Sequence, residues 1–262
     1  MQKEIFKLWF LARYSMRAAQ AGGLMNVLTI FGSAMLLVAQ IYVWKLGNAG
    51  TAIFSYILIG RIYKSIAENY FVGTLSSDII TGHISRTLLL PTSITILYFF
   101  EMMGKRVFRN LIEFLGFVAA ALFCVKFLNI NIDYNFSTLW ILALFLPITF
   151  FLNHFTGMIV GCLAFIIDDK RDFMGIDNIY FNFRSILAGW IIPLDLLPFA
   201  GFFVSTPFAW QLHQPMQIYL GKVQGLDILW VWLQGLFWCV FMYFLAKIVF
   251  KLGLKYNEST GL

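Results

Sequence analysis

Between Leu24 and Trp44 the chain runs for a full helix length without one charged side chain. A stretch of about 20 mainly apolar residues is what the hydrocarbon core of a bilayer requires of a spanning helix. Nothing else in the sequence restricts the fold so strongly. Composition agrees: 60% of residues are hydrophobic and 12% charged, against about 45–50% and 25% in soluble domains. A mean hydropathy of +0.79 leaves no way for a water-soluble globule to hide its apolar surface. The sequence therefore predicts an all-α integral membrane protein in one unit over 1–262.

Six transmembrane helices are expected, near 24–44, 49–70, 107–128, 140–167, 179–197 and 228–250. The second carries Arg61, Lys64 and Glu68 in its latter part, where long side chains snorkel toward the interface. Glu113 follows Arg109 by four residues in the third, the spacing of a helical ion pair. Pro147 marks a kink or the start of the fourth, in which Gly157 and Gly161 have the spacing of a close helix contact. Asp227 suits the cap position of the sixth.

Upstream, Ile5, Leu8, Trp9, Ala12 and Met16 share one helical face and Lys3, Lys7, Arg13 and Arg17 the other. This is the pattern of an N-terminal interfacial helix over 1–21, lying on the membrane surface. It lacks the continuous apolar core of a cleaved signal peptide.

After the fifth span, Pro193, Pro198, Pro207 and Pro215 interrupt an apolar stretch. Each interior proline removes a helical donor, and broken backbone at membrane depth is tolerated only inside protein or along a cavity. Outer re-entrant helices are therefore expected between spans five and six, over Leu194–Gly221.

Sixteen of the nineteen lysines and arginines fall at the N-terminus, in the second-to-third and fourth-to-fifth connections with their flanks, and at the C-terminus; Lys45, Lys126 and Lys222 lie opposite. The positive-inside bias places both termini in the cytoplasm.

The net charge of +6 comes without a basic cluster, so no nucleic-acid partner is expected. Cys124, Cys162 and Cys239 lie apart inside spans and read as small buried hydrophobes. No metal site is expected: His83, His154 and His213 are widely separated, and Asp168 to Asp172 reads as a charged loop. A phosphate-binding G-x-x-x-x-G-K-[ST] loop is also missing. Phe99 and Met216 stand where the upstream glycines of Gly104-Lys105 and Gly221-Lys222 would be required. The chain is thus not expected to be an enzyme.

The cytoplasmic connection 73–106 is the most informative segment. Ser76 or Ser77 can cap a short helix over Asp78–Thr81 ended by Gly82, and a second turn over Leu88–Leu90 stops at Pro91. Here Gly82-x-x-x-Arg86-x-Leu88-Leu89-x-Pro91 resembles the stretch of type-2 ATP-binding-cassette (ABC) exporter permeases that meets the ATPase. Ile192-Pro193-Leu194-Asp195-Leu196-Leu197-Pro198-Phe199 and Thr206-Pro207-Phe208 are similar to that family's outer re-entrant elements. The tail from Gly253 to Gly261 resembles its C-terminal pattern.

The resemblance implies a transport subunit in a bacterial cytoplasmic membrane, exporting an amphipathic or hydrophobic substrate. It also implies a separate ABC ATPase subunit that carries ATP and Mg, and a second permease chain, identical or paralogous. By the same resemblance Asp78, Ile79, Thr81, Gly82, Arg86, Leu89 and Pro91 are expected to couple to the ATPase. Pro193, Asp195, Pro198, Phe199 and Pro207 are expected to form the outer gate. His83 and Thr87 depart from the family pattern. The rival reading is a proton- or ion-coupled secondary transporter or channel, for which Asn153 and His154 are the candidate intramembrane polar site. An interhelical hydrogen-bonding pair is the plainer account of those two residues.

Overall fold

The computed structural model describes residues 23–68, 71–90, 93–132, 136–167 and 169–260, and every regular element among them is helical. The expected interfacial helix over 1–21, and Pro91, lie outside the described residues. Three helices are long and apolar enough to cross a membrane, within Arg109–Phe127, Thr138–Phe165 and Leu226–Tyr256. A shorter apolar helix covers Ile30–Leu46.

Helix α1 (Gly23–Leu46) gives way at Gly47 and Asn48, with Asn48 in the left-handed region at φ 54°. Asparagine tolerates that conformation, so the chain turns back tightly into α2 (Thr51–Ala67). Beyond Glu68 follow α3 (Val72–Ile80) and α4 (Ile84–Leu88), joined through Gly82 at φ 73°. Ser76 and Ser77 lie inside α3 rather than capping it, because apolar Val72 and Leu75 pack inward and carry the helix back to Val72. Its end at Thr81–Gly82 is where the sequence places it.

Helix α5 (Ile94–Phe127) has 34 residues, about 51 Å at the usual rise. It outruns a bilayer's hydrocarbon and projects on the side of α3 and α4. The expected third span, 107–128, is only its latter part. Hydropathy ended the span at Lys105 and Arg106, but no proline interrupts the backbone between Ile94 and Phe127.

Helix α6 (Phe136–Gly161), prolonged by a 3-10 turn over Cys162–Phe165, is the central pillar. Half of its apolar stretch is buried, against 17% for α5 and 11% for the last helix. Parallel neighbours flank it. Tyr63 and Ala67 of α2 bond to Thr149 and Asn153 in ascending order. Likewise, Gly235 and Gly253 of α10 (Leu226–Thr260) face Ile148 and Phe165. A Cβ on Gly157 would lie 3.3 Å from that of Phe71, and one on Gly161 3.0 Å from the Leu75 side chain. The glycine pair therefore marks a close approach of α3 within this chain.

Helix α7 (Lys170–Leu187) starts at Asp169, whose carboxylate accepts from the Arg171 amide at 2.5 Å. It stops short of the expected fifth span, 179–197. Gly189 at φ 78° and Pro193 turn the chain instead. Short pieces follow: a 3-10 turn over Leu194–Leu196, α8 (Ala200–Val204), another turn over Pro207–Gln211, and α9 (His213–Tyr219). All seven residues of α9 are buried. Trp210 Nε1 donates to Val231 O at 2.9 Å, and Thr149 Oγ1 donates to Trp210 O at 3.1 Å. Leu212 lies against Gly60. The part from Pro207 to Tyr219 is thus wedged among α2, α6 and α10, where Thr149 satisfies a carbonyl that a continuous helix would have paired internally.

Candidate functional site

The hairpin α3–α4 has a buried root and an exposed tip. Ile79 is 9% exposed and faces the core, and Ile84 is buried beside it. Asp78 is held from the side: Tyr98 donates its hydroxyl to Asp78 Oδ2 at 2.7 Å. Thr81 Oγ1 donates to Ser77 O at 2.6 Å and contacts His83 Nδ1 at 2.9 Å, which fixes the turn around Gly82. Beyond it Arg86, Leu88, Leu89 and Leu90 are exposed, Leu89 at 86%. A cation beside three uncovered leucines, at the tip of a hairpin whose α3 is anchored by Leu75 against Gly161, is a surface suited to a protein partner. Of the residues expected here, Thr81, Gly82, Arg86 and Leu89 form that surface, and Asp78 and Ile79 support it.

At the opposite end, Pro193 and Pro207 are buried, Pro198 is exposed, and Phe199 stands 83% exposed at φ 62°. Asp195 organises the cap. Its Oδ2 accepts from Lys222 Nζ at 2.6 Å and Gln217 Nε2 at 2.7 Å, and Oδ1 lies 3.4 Å from His213 Nε2. Partial burial alone would raise this carboxyl. The Lys222 hydrogen bond, His213 when it is protonated, and the Gln217 hydrogen bond outweigh that effect and hold it below its ordinary value. Asp195 thereby ties the 3-10 turn to α9 and to the start of the turn before α10.

Asn153 and His154 do not form one site. Asn153 Nδ2 donates to Ala67 O at 3.1 Å, capping a carbonyl at the end of α2. His154 is fully buried among rings, 4.5 Å from Phe71 and 5.7 Å from Phe155 between centroids. The first is an interhelical hydrogen bond, as the sequence suggested; the second sits in an aromatic enclosure and hydrogen-bonds to the backbone of Thr95 on α5.

A fourth constellation was not legible as a site. Glu68 Oε1 accepts from Arg184 Nη2 at 3.3 Å, and Lys64 Nζ lies 3.7 Å from Glu68 Oε2. Trp190 is sandwiched by both cations, with Lys64 Nζ 3.7 Å and Arg184 Cζ 4.2 Å from its ring. Arg61 Nη2 donates to Gln40 Oε1 at 3.1 Å, and Gln40 Nε2 to Ile191 O at 3.0 Å. The latter part of α2 therefore turns its charges inward, toward α7 and the chain after it, rather than snorkelling out. Their spacing at 61, 64 and 68, one helical face, is the signal that finds them. Arg109 and Glu113 pair at 2.9 Å, as their spacing predicts. Among the described residues no group of three His, Cys, Asp or Glu side chains could hold a metal ion.

A family model described as "ABC-2 family transporter protein" matches residues 18–261. Neither the curated proteins nor the solved structures contain a significant match to the chain.

Proposed function

Because the chain belongs to the ABC-2 transporter family and is a multi-pass permease of an ABC transporter, we propose that it exports an amphipathic or hydrophobic molecule. Energy comes from ATP hydrolysed on a separate ATPase chain. The match across residues 18–261 carries this reading. The exposed α3–α4 tip supports it, because an engine in another subunit needs a rigid lever to push. Close packing of Leu75 on Gly161 passes such a push directly into α6.

In this reading six spans cross a bacterial cytoplasmic membrane, with α7 as the fifth and both termini on the cytoplasmic side. A second permease chain completes the pathway, and the wedge from Pro193 to Tyr219 is a re-entrant outer gate. Burial of its part from Pro207 to Tyr219 among α2, α6 and α10 supports that role, since irregular backbone at membrane depth survives only inside protein. Alternating access follows when closure of the ATPases tilts α3 and α6 against that gate.

The test is Arg86→Glu. The variant is expected to insert normally and to co-purify with much less ATPase subunit. Full retention of the ATPase after this charge reversal would overturn the docking assignment.

A further inference from the structure

A cleft of about 390 Å³ opens between α8, α9 and the N-terminal part of α10, within the ordinary size range of small-molecule sites. Its walls are held in place. Trp210 Nε1 donates to Val231 O at 2.9 Å, and a Cβ on Gly235 would lie 2.7 Å from Trp210 Cδ1, so this indole is locked against α10. Ser205 Oγ donates to Phe202 O at 2.7 Å, which leaves its lone pairs free to accept. Phe237 and Trp238 add aromatic surface from α10.

Two glutamine amides line this space, Gln214 from α9 and Gln234 from α10. Gln214 is 8% exposed. Among the described residues neither amide has a hydrogen-bond partner. Gln217, one turn along α9, differs in donating to Asp195 Oδ2 at 2.7 Å. Gln234 is the one amide side chain between Asp227 and Lys247, in an otherwise apolar stretch of α10. An amide kept from water without a partner is costly. A ligand that pairs with both amides offsets that cost.

The lining selects the chemistry of that ligand. None of the described residues around the cleft is acidic or basic, so a charged group would enter without an opposite charge. A hydrocarbon chain would leave both amides unpaired. A hydroxyl both donates and accepts, as a glutamine does through Nε2 and Oε1, so neighbouring hydroxyls on one ring match two amides. The C–H face of a sugar ring is apolar and packs on aromatic surface. We propose that this cleft binds the neutral, hydroxyl-rich headgroup of a membrane glycolipid, with Gln214 and Gln234 pairing its hydroxyls. Leu233 and Phe241 on α10 and Phe202 on α8 are exposed on the same helices, and these surfaces take the lipid chains. The proposal requires only that α10 lies in lipid, so it stands or falls separately from ATPase docking.

The experiment is native mass spectrometry of the intact permease released from nanodiscs containing equal monoglucosyl diacylglycerol and phosphatidylcholine with the same acyl chains. The wild type is expected to retain the glucosyl lipid in about tenfold preference, the effect of two neutral hydrogen bonds. Gln214→Leu and Gln234→Leu should each reduce the preference to about threefold, and the double variant should abolish it. A Cβ on Gly201, which also lines the cleft, meets nothing within 4 Å, so Gly201→Leu should fill the space and lower retention with both amides intact. Thermal unfolding in phosphatidylcholine alone should be unchanged by Gln234→Leu, because the amide has no partner to lose; a large drop there would make Gln234 a structural residue and overturn its role. No preference in the wild type, or an unchanged preference in the double variant, would overturn the site. Release of the lipid by millimolar methyl glucoside would overturn its assignment to a lipid.

Discussion

The guanidinium of Arg184 meets the Glu68 carboxylate at 3.3 Å, tying the C-terminal half of α7 to the end of α2. Lys64 approaches the same carboxylate from the preceding turn, and Trp190 closes over both cations. One anion therefore holds two cations in a place with little water, and the two partners are not equivalent.

Glu68→Gln leaves Lys64 and Arg184 buried without their shared counter-charge. Breaking a buried pair in this way costs about 3–5 kcal/mol. Arg184→Met costs less, because Glu68 keeps Lys64 and the new side chain fills the space against Trp190. Thermal unfolding of the detergent-solubilised protein should rank wild type above Arg184→Met, and that above Glu68→Gln. The reverse order would show that stacking on Trp190, not the carboxylate, holds α7.

The contrast between these residues and the spans explains what was legible. Apolar length alone located α1, α6 and α10, because lipid imposes it on sequence directly. It misjudged α7, where Arg184 was counted as a loop cation; the helix buries that charge against α2 in a contact more than a hundred residues distant. The end of α3 at Gly82 was readable, since a left-handed residue must follow the helix there. Its start at Val72 was not, because packing of Val72 and Leu75 overrides the capping preference of Ser76 and Ser77. Similarly, the prolines announced a broken segment after α7, but only Thr149, Trp210 and Val231 show what it packs against.

Gly189→Ala tests that packing. A Cβ at this position would lie 2.5 Å from the Tyr56 hydroxyl, which itself donates to Gly189 O at 3.0 Å. The backbone is also left-handed at φ 78°, which alanine adopts at a cost of about 1–2 kcal/mol. Clash and strain together should destabilise the protein by about 2–4 kcal/mol, in the range of overpacking effects. Tyr56→Phe in the same background should recover part of that loss; no recovery would place the cost in the backbone alone.

Asp195 supplies a pH dependence whose sign is fixed. Its carboxyl titrates lower in the folded chain than in the unfolded one. Its contribution is therefore present above the ordinary value of about 4 and is lost as pH falls through the depressed one. The pair with Lys222 is half exposed, so solvent screening limits it to about 1 kcal/mol or less. Hydrogen-exchange protection over residues 194–222, taken relative to the intrinsic exchange rate at each pH, should fall modestly between pH 5 and about 3 in the wild type. Asp195→Asn should show reduced protection at both values and lose the part of that fall which the carboxylate contributes.

Asn153 and His154 separate the two transport mechanisms. Asn153 Nδ2 reaches the Ala67 carbonyl at 3.1 Å, so Asn153→Leu removes one interhelical hydrogen bond worth about 0.6–1.7 kcal/mol. The protein should unfold slightly earlier and still transport. His154 packs against Phe71 with ring centroids 4.5 Å apart, and a phenylalanine has nearly the shape to replace it. If ATP hydrolysis drives transport, His154→Phe should leave the rate in proteoliposomes within about twofold, since the imidazole carries no proton in that mechanism and a ring remains against Phe71. A proton-coupled carrier that used this imidazole would lose coupling altogether. Measuring uptake with and without ATP, and with and without a proton gradient, distinguishes the outcomes. Abolition of transport by His154→Phe at unchanged stability would overturn the ATP-driven reading.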